Sequence, residues 1–89
     1  MSLNRRAAKR DDNEAEIIEG LIAAGCSVRQ ISLEGFPDLV VGRHGVNYFL
    51  EVKTEKGKLT AEQETFFAEW RGQAQVVRSV EEALLAVGM

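Results

Sequence analysis

The stretch that decides the fold is GFPDLVVGRHGVNYFLEVKT, residues 35–54. It contains two short apolar runs, LVV at 39–41 and YFL at 48–50, with a glycine-containing turn between them. Two apolar runs of this length around a tight turn predict a β-hairpin. Its charged residues are unevenly placed, because Asp38 opens the first strand while Glu51 and Lys53 lie late in the second.

The length of the hairpin loop sets which residues face each other. With a two-residue loop at His44 and Gly45, paired positions sum to 89 and Asp38 lies opposite Glu51. With a four-residue loop at 42–45, the pairing shifts by two and Asp38 becomes a diagonal neighbour of Glu51. Both registers place the two carboxylates on one face, roughly 4.5 to 8 Å apart at Cβ.

The paired carboxylates indicate a cation site. Side chains alternate along a strand, so Glu51 and Lys53 share a face while Leu50 and Val52 point to the other side. Two opposed carboxylates repel each other. A bound Mg²⁺ would offset this repulsion, because it takes carboxylate and water oxygens as ligands. We expect this site on the solvent-facing side of the hairpin, with the lysine orienting or deprotonating a water, or meeting charge on a phosphate. The alternative is an exposed face whose lysine forms an ion pair with Asp38 or Glu51.

These residues resemble a known nuclease motif. The dipeptide PD at 37–38, followed after a hairpin by EVK at 51–53, resembles the PD-(D/E)xK motif. The longer string, GFPDLVVG, then FLEVKT and Gln63, is similar to the VRR-NUC branch, whose small stand-alone members resemble Holliday-junction resolvases. The resemblance covers about residues 14–82. It implies an endodeoxyribonuclease that hydrolyses phosphodiester bonds with Mg²⁺ or Mn²⁺ held by Asp38, Glu51 and the Val52 carbonyl, and with Lys53 as a catalytic residue.

Two further site residues follow from the resemblance. Such nucleases have an additional acid on the first helix, and the resemblance implies Glu14 in that role, with Glu16 and Glu19 as poorer alternatives. The other interpretation of Glu14 is a first-turn acid that complements the helix dipole. They also place a glutamine beside the metal or the phosphate, which corresponds to Gln63. Gln63 has a second interpretation, because Thr60-x-x-Gln63 is a helix capping box.

The remaining pattern predicts an α/β fold with the order α-β-β-β-α-β and a C-terminal helix, a mixed sheet flanked by helices. We expect a helix over 13–24 that Asn13 and Glu16 cap, a strand over 27–33, a helix over 61–70, a strand over 75–78 and a final helix opened by Ser79. The polar connection 55–59 is expected to be mobile. The resemblance makes this fold restriction-endonuclease-like. The aromatic residues of the second long helix are expected in the core: Phe66, Phe67 and Trp70.

Length and composition limit the class of protein. The 89 residues allow one small domain, 1–89, with a basic N-terminal segment at 1–12. The net charge of −3 argues against a broadly basic surface, but local basic residues are candidates for phosphate contacts: Lys56, Lys58, Arg43 and Arg10. A single cysteine offers neither a disulfide nor a zinc site. Without an apolar stretch for a signal peptide or membrane anchor, we expect a cytoplasmic protein.

The expected partners are DNA, preferably branched, and a second copy of the chain. A small core favours a homodimer, and the predicted interface is the final strand and helix, with Val76, Val77, Leu84, Leu85 and Val87. Two other functions remain open. One is a nucleic-acid-binding module that keeps the fold without efficient catalysis, and the other is a structural or assembly protein without metal affinity.

Overall fold

The structure, a computed structural model, describes residues 11–89. Its elements are α1 (Glu14–Ala23), β1 (Ser27–Gln30), β2 (Leu39–Arg43), β3 (Val46–Val52), α2 (Ala61–Glu69), β4 (Ala74–Val77) and α3 (Val80–Ala86). The predicted α/β class and element order are confirmed. None of the helices in this part of the chain is long and apolar enough to cross a membrane.

The four strands form one mixed sheet in the order β1-β2-β3-β4. The first three pair antiparallel, whereas β3 and β4 pair parallel. Arg43 pairs with Val46, so the hairpin loop has two residues. His44 and Gly45 both have positive φ, 52° and 78°, as a type I′ turn requires. The two-residue register is therefore correct and the four-residue loop is excluded.

One face of the sheet carries the aliphatic core. Leu39, Val41, Leu50 and Val52 point from β2 and β3 toward α1 and α3 and are almost completely buried. The helices contribute the other members of the cluster: Ile17, Leu21, Cys26, Ala83 and Val87, joined by Val77 from β4. The predicted orientation of Leu50 and Val52, away from Glu51, is confirmed.

The other face of the sheet is covered by α2 and by aromatic rings. Phe36 and Phe49 contact Phe66 edge-to-face, with centroids 5.1 and 6.4 Å away, and Phe66 stacks on Trp70 at 4.9 Å. These rings pack on one another, but the expected core position is only partly met, since Phe66 and Phe67 are half-buried and Trp70 is 41% exposed. Because α2 is anchored by these rings, it holds its first turn over the end of β3.

Several predicted boundaries and caps differ from the structure. β1 ends at Gln30, and Leu33 is exposed, because the chain turns before Phe36 enters the aromatic face. β4 starts and ends one residue earlier than predicted. The capping box of Asn13 and Glu16 is wrong: the Asn13 side chain makes no cap bond and points toward the sheet.

The predicted dimer interface is partly internal. Val77 and Val87 are fully buried within the chain and belong to its own core. They are unavailable to a second copy. Leu85, which is 70% exposed, is the apolar residue of that set that faces outward most.

Candidate active site

Asp38 lies where β2 begins, directly after the buried Pro37. Its backbone carbonyl accepts a hydrogen bond from the Ile31 amide at 2.7 Å, which extends the pairing of β1 and β2. Its side-chain Oδ2 accepts one from the Val52 amide at 2.9 Å. The carboxylate is thus fixed against the end of β3. The same register, extended by one pair, sets Asp38 across from Glu51.

The Val52 carbonyl points to the same side of β3 as Asp38. In an antiparallel pair, the N–H and C=O of one residue are directed toward the same neighbouring strand, and the Val52 N–H is directed at Asp38. The residue opposite Val52 in this register is Pro37, which has no N–H to donate. The proline therefore supplies no ladder hydrogen bond to this carbonyl oxygen.

Glu51 is buried, with only 2% of its surface exposed. Its Oε2 accepts a hydrogen bond from Gln63 Nε2 at 2.8 Å and lies 3.6 Å from Lys53 Nζ. Glu51 and Lys53 therefore share a face, as alternation predicts. The expected solvent-facing side is wrong, because α2 and its aromatic rings cover the sheet at this point.

Gln63 forms the predicted capping box and also contacts Glu51, while its role beside a metal or a phosphate stays a prediction. Its amide oxygen accepts from the Thr60 backbone at 2.9 Å while its own backbone N–H donates to Thr60 Oγ1 at 3.2 Å, which completes the capping box. Its amide nitrogen is then left to donate to Glu51. The cap thus fixes the helix start and also aims the glutamine at the carboxylate.

Glu14 is the buried acid of α1. It is 3% exposed, whereas Glu16 and Glu19 are exposed, and its Oε2 accepts a hydrogen bond from Gln30 Nε2 at 3.0 Å. Gln30 ends β1, and the next residue pairs with Asp38. The inward-facing acid is therefore the predicted one, and its catalytic role stays a prediction.

Asp11, which the sequence did not single out, interacts electrostatically with two residues of the candidate site. Burial raises the pKa of its carboxyl group; the positive charge of Lys53 opposes this rise, and the negative charges of Asp38 and Asp12 add to it. These interactions place Asp11 near both Asp38 and Lys53. No sequence signal identified it, because it precedes the helix within a segment that was notable only for its basic residues.

Asn13 is the second residue that the sequence missed. Its side-chain amide donates to the carbonyls of Lys53, at 3.1 Å, and Arg78, at 3.2 Å. These carbonyls follow the last paired residues of β3 and β4, so the asparagine joins the two strand ends. Asn13, which the sequence predicts as a helix cap, therefore links the start of α1 to the strand end that carries Lys53.

The candidate phosphate contacts lie in different places. Lys56 and Lys58 are exposed in the turn that follows β3, close to the site in sequence. Arg43 lies at the opposite end of the hairpin and donates to the Val87 carbonyl at 3.1 Å, beyond the end of α3. Arg10 lies outside the described residues. Their contacts with DNA stay predictions.

The donor set at the end of the hairpin fits a hard divalent cation. Within residues 11–89, no group of three or more histidine, cysteine, aspartate or glutamate side chains is arranged as a metal site. The two carboxylates of Asp38 and Glu51 and the Val52 carbonyl nevertheless supply oxygen ligands only, and Mg²⁺ commonly uses one or two carboxylates and completes its shell with water. The Val52 carbonyl is available as a ligand because the residue opposite it, Pro37, has no N–H to donate to it.

One solved structure, described as a VRR_NUC domain, is similar to this chain. Its TM-score is 0.68 and 28% of the aligned residues are identical; the alignment covers 86% of this chain and 96% of that chain. No protein-family model and no curated protein matches the chain.

The mixed sheet and its flanking helices are a nuclease-like α/β fold. The chain has the fold of a VRR-NUC domain, and the assignment predicted from its sequence is confirmed.

Proposed function

We propose that this chain is a metal-dependent DNA endonuclease that hydrolyses phosphodiester bonds and prefers branched DNA. The observation that carries the proposal is the convergence at one end of the hairpin: Asp38 fixed on the Val52 amide, with Glu51 held by Gln63 and paired with Lys53. A buried carboxylate with a lysine and an amide donor is costly to maintain for structure alone. The arrangement instead matches what hydrolysis at a phosphate needs.

The cation would be Mg²⁺ or Mn²⁺, held by Asp38, Glu51 and the carbonyl of Val52. When bound, it would supply Lewis-acid charge at the phosphate and lower the pKa of a bound water. Asp38 and Glu51 contribute two negative charges from positions that the β2–β3 register and the capped helix fix. Held ligands of this kind reduce the reorganisation needed during reaction.

Lys53 would act on the reacting groups. Its ammonium lies 3.6 Å from Glu51, and its side chain is 14% exposed, so it borders solvent rather than the sealed core. From there it would orient the attacking water or offset negative charge that develops on the phosphate. Gln63 positions Glu51, and Glu14, held by Gln30, is proposed as the additional acid.

Binding of DNA would rest on local positive charge, since the chain as a whole carries −3. Lys56 and Lys58 are the proposed phosphate contacts nearest the site, with Arg10 and Arg43 as further candidates. Two of the negative charges counted in that total belong to the proposed cation site, and a bound cation changes the local sign.

A preference for branched DNA would require two copies of the chain. Each chain has one candidate site, whereas resolving a four-way junction needs two nicks on opposed strands, which a two-fold dimer would supply. Val77 and Val87 are internal, and Leu84 packs against the core. The proposed interface is therefore narrowed to the exposed Leu85 and the half-buried Val76.

The test is cleavage of a labelled four-way junction and a matched linear duplex, with Mg²⁺, with Mn²⁺ and with a chelator. We expect cleavage that depends on the cation, is faster on the junction, and is absent in Glu51→Gln. Light scattering at micromolar concentration, with and without the junction, should show a dimer. Binding without cleavage in either cation would favour the binding module instead. A monomer that cuts both substrates equally would leave an endonuclease but remove the preference for junctions.

A further inference from the structure

Arg78, the first residue after β4, reaches the turn that follows Lys53. Its Nη1 donates to the carbonyls of Thr54 at 2.7 Å, Gly57 at 2.8 Å and Glu55 at 3.3 Å. One guanidinium nitrogen carries only two hydrogens, so the longest contact shares a hydrogen with a shorter one. The connection that the sequence predicts to be mobile is therefore fastened to β4.

The backbone of Arg78 is anchored independently of its side chain. Its N–H donates to Glu82 Oε1 at 2.8 Å, and its carbonyl accepts from Asn13 Nδ2 at 3.2 Å. The same Asn13 amide also holds the Lys53 carbonyl. Shortening the Arg78 side chain would leave these backbone bonds in place, so its effect on the turn can be separated from its effect on the fold.

The turn is compact and lies against Lys53. The Gly57 amide closes it on the Thr54 carbonyl at 3.1 Å. A Cβ at Gly57 would lie 3.2 Å from Thr54 Oγ1, which is a tight approach, and 3.5 Å from Lys53 Cβ, which is ordinary van der Waals contact. With its carbonyls turned toward Arg78, the turn leaves Lys56 and Lys58 exposed.

We propose that Arg78 is a positioning residue for substrate binding: by holding this turn, it presents Lys56 and Lys58 to a DNA phosphate on the side where Lys53 lies. The proposal rests on the proposed nuclease function. Within the described residues Arg78 has no ion-pair partner, so its guanidinium serves backbone carbonyls. Ordering the turn before DNA arrives lowers the entropy lost on binding. Loss of the hydrogen bonds from the Arg78 side chain to the turn should therefore weaken DNA binding more than it slows the chemical step.

The first experiment measures the turn itself, by NMR hydrogen exchange of the Gly57 amide. We expect exchange about tenfold faster in Arg78→Ala than in the wild type, with partial protection in Arg78→Lys, whose ammonium can donate to some of these carbonyls. Arg71→Ala is the matched control, since Arg71 is exposed and makes no side-chain hydrogen bond within the described residues. Equal protection of the Gly57 amide in Arg78→Ala and in the wild type would show that the Arg78 side chain does not hold the turn.

The second experiment measures binding and cleavage with the same variants and a labelled duplex. We expect Arg78→Ala to raise the dissociation constant and KM about two- to tenfold, with kcat within about twofold of wild type. Faster exchange with an unchanged dissociation constant, or a lower kcat at unchanged KM, would overturn the role in binding. If the wild type binds the duplex without cutting it, the proposed cleavage fails, while the dissociation constants still decide the role of Arg78. A wild type that does not bind DNA would overturn both proposals.

Discussion

At the end of β3, the two faces are equally buried but differ in chemistry. Leu50 is 1% exposed and packs into an aliphatic core between two helices, whereas its neighbour Glu51 is 2% exposed beneath α2. Burial therefore does not distinguish core from site in this small domain. The two residues differ in the groups that contact them. Leu50 packs against apolar side chains, whereas Glu51 contacts the amide of Gln63 and the ammonium group of Lys53.

The difference shows how one strand serves two purposes. Successive residues of a strand point to opposite faces, so a core residue and a site residue can occupy adjacent positions. The core face gains free energy from apolar burial. The site face keeps buried charge, which costs free energy unless hydrogen bonds and an ion pair offset it.

Removing either proposed metal-binding carboxylate should give the largest effect on activity. Glu51→Gln and Asp38→Asn should each lower cleavage about a thousandfold or more. Each variant replaces an anionic ligand by a neutral amide of nearly the same size and shape. Folding should be retained, and the melting temperature in metal-free buffer should be equal or higher because the repulsion between the two carboxylates is relieved. The measurements are cleavage rates in Mg²⁺ and thermal unfolding. Near wild-type cleavage by either variant would falsify the assignment.

Leu50→Ala should have the largest effect on stability. It deletes a side chain with almost no exposed surface from the aliphatic core, at a cost of about 2–5 kcal/mol in unfolding free energy. Urea denaturation measures this change. Val46→Ala is the matched control on the same strand, since Val46 is exposed, and it should change stability by less than about 0.5 kcal/mol. Similar losses in the two variants would contradict the division between core face and exposed hairpin end.

Lys53→Ala should change the chemical step. If Lys53 acts in the transition state, its loss lowers kcat about a hundredfold with a smaller change in DNA affinity. Single-turnover cleavage at saturating enzyme separates the two quantities. A variant that shifts only the dissociation constant would show that Lys53 binds substrate and does not take part in the reaction.

The sequence was sufficient for the hairpin because its turn chemistry and its strand alternation agree. His44 and Gly45 suit a two-residue loop, although a four-residue loop remained open. Both registers place Asp38 on the face of Glu51, and the pairing of Arg43 with Val46 selects the first. The element order followed from helical and strand periodicities for the same reason. Turn chemistry and periodicity depend on residues that are close in sequence, and the folded chain keeps the turns, strands and helices that they predict.

The sequence was insufficient where the environment came from distant segments. Glu51 was expected to face solvent, because nothing local shows that α2 closes over it. Asn13 has the residue type and position of a helix cap, yet its amide binds carbonyls 40 and 65 residues away in the chain. Arg78 likewise contacts residues 54–57 only because the end of β4 lies beside the turn that follows β3.

Gln63 offers a finer test, because its cap and its contact with Glu51 can be separated. Thr60→Ala removes the hydroxyl acceptor and should cost about 1 kcal/mol of stability while the glutamine amide still reaches Glu51. Gln63→Ala loses the side-chain half of the capping box and the contact with Glu51, and should also lower cleavage about tenfold or more. Denaturation and cleavage rates measured on both variants decide between the roles. Equal cleavage by the two would leave Gln63 with a capping role only.

The smallest effects are expected from the lysines that lie on neither face of β3. Lys56→Ala and Lys58→Ala should each weaken DNA binding several-fold and reduce the slope of log Kd against log salt by about one, because each would release one phosphate contact. Turnover at saturating DNA should stay near wild type, in contrast to Lys53→Ala. Binding titrations over a range of salt concentrations measure the slope. Arg29→Ala, which removes an exposed positive charge on β1, is the control and should leave the slope unchanged. If the double variant at Lys56 and Lys58 keeps the wild-type slope, the turn does not contact phosphate, and the charge that attracts DNA must lie elsewhere on the chain.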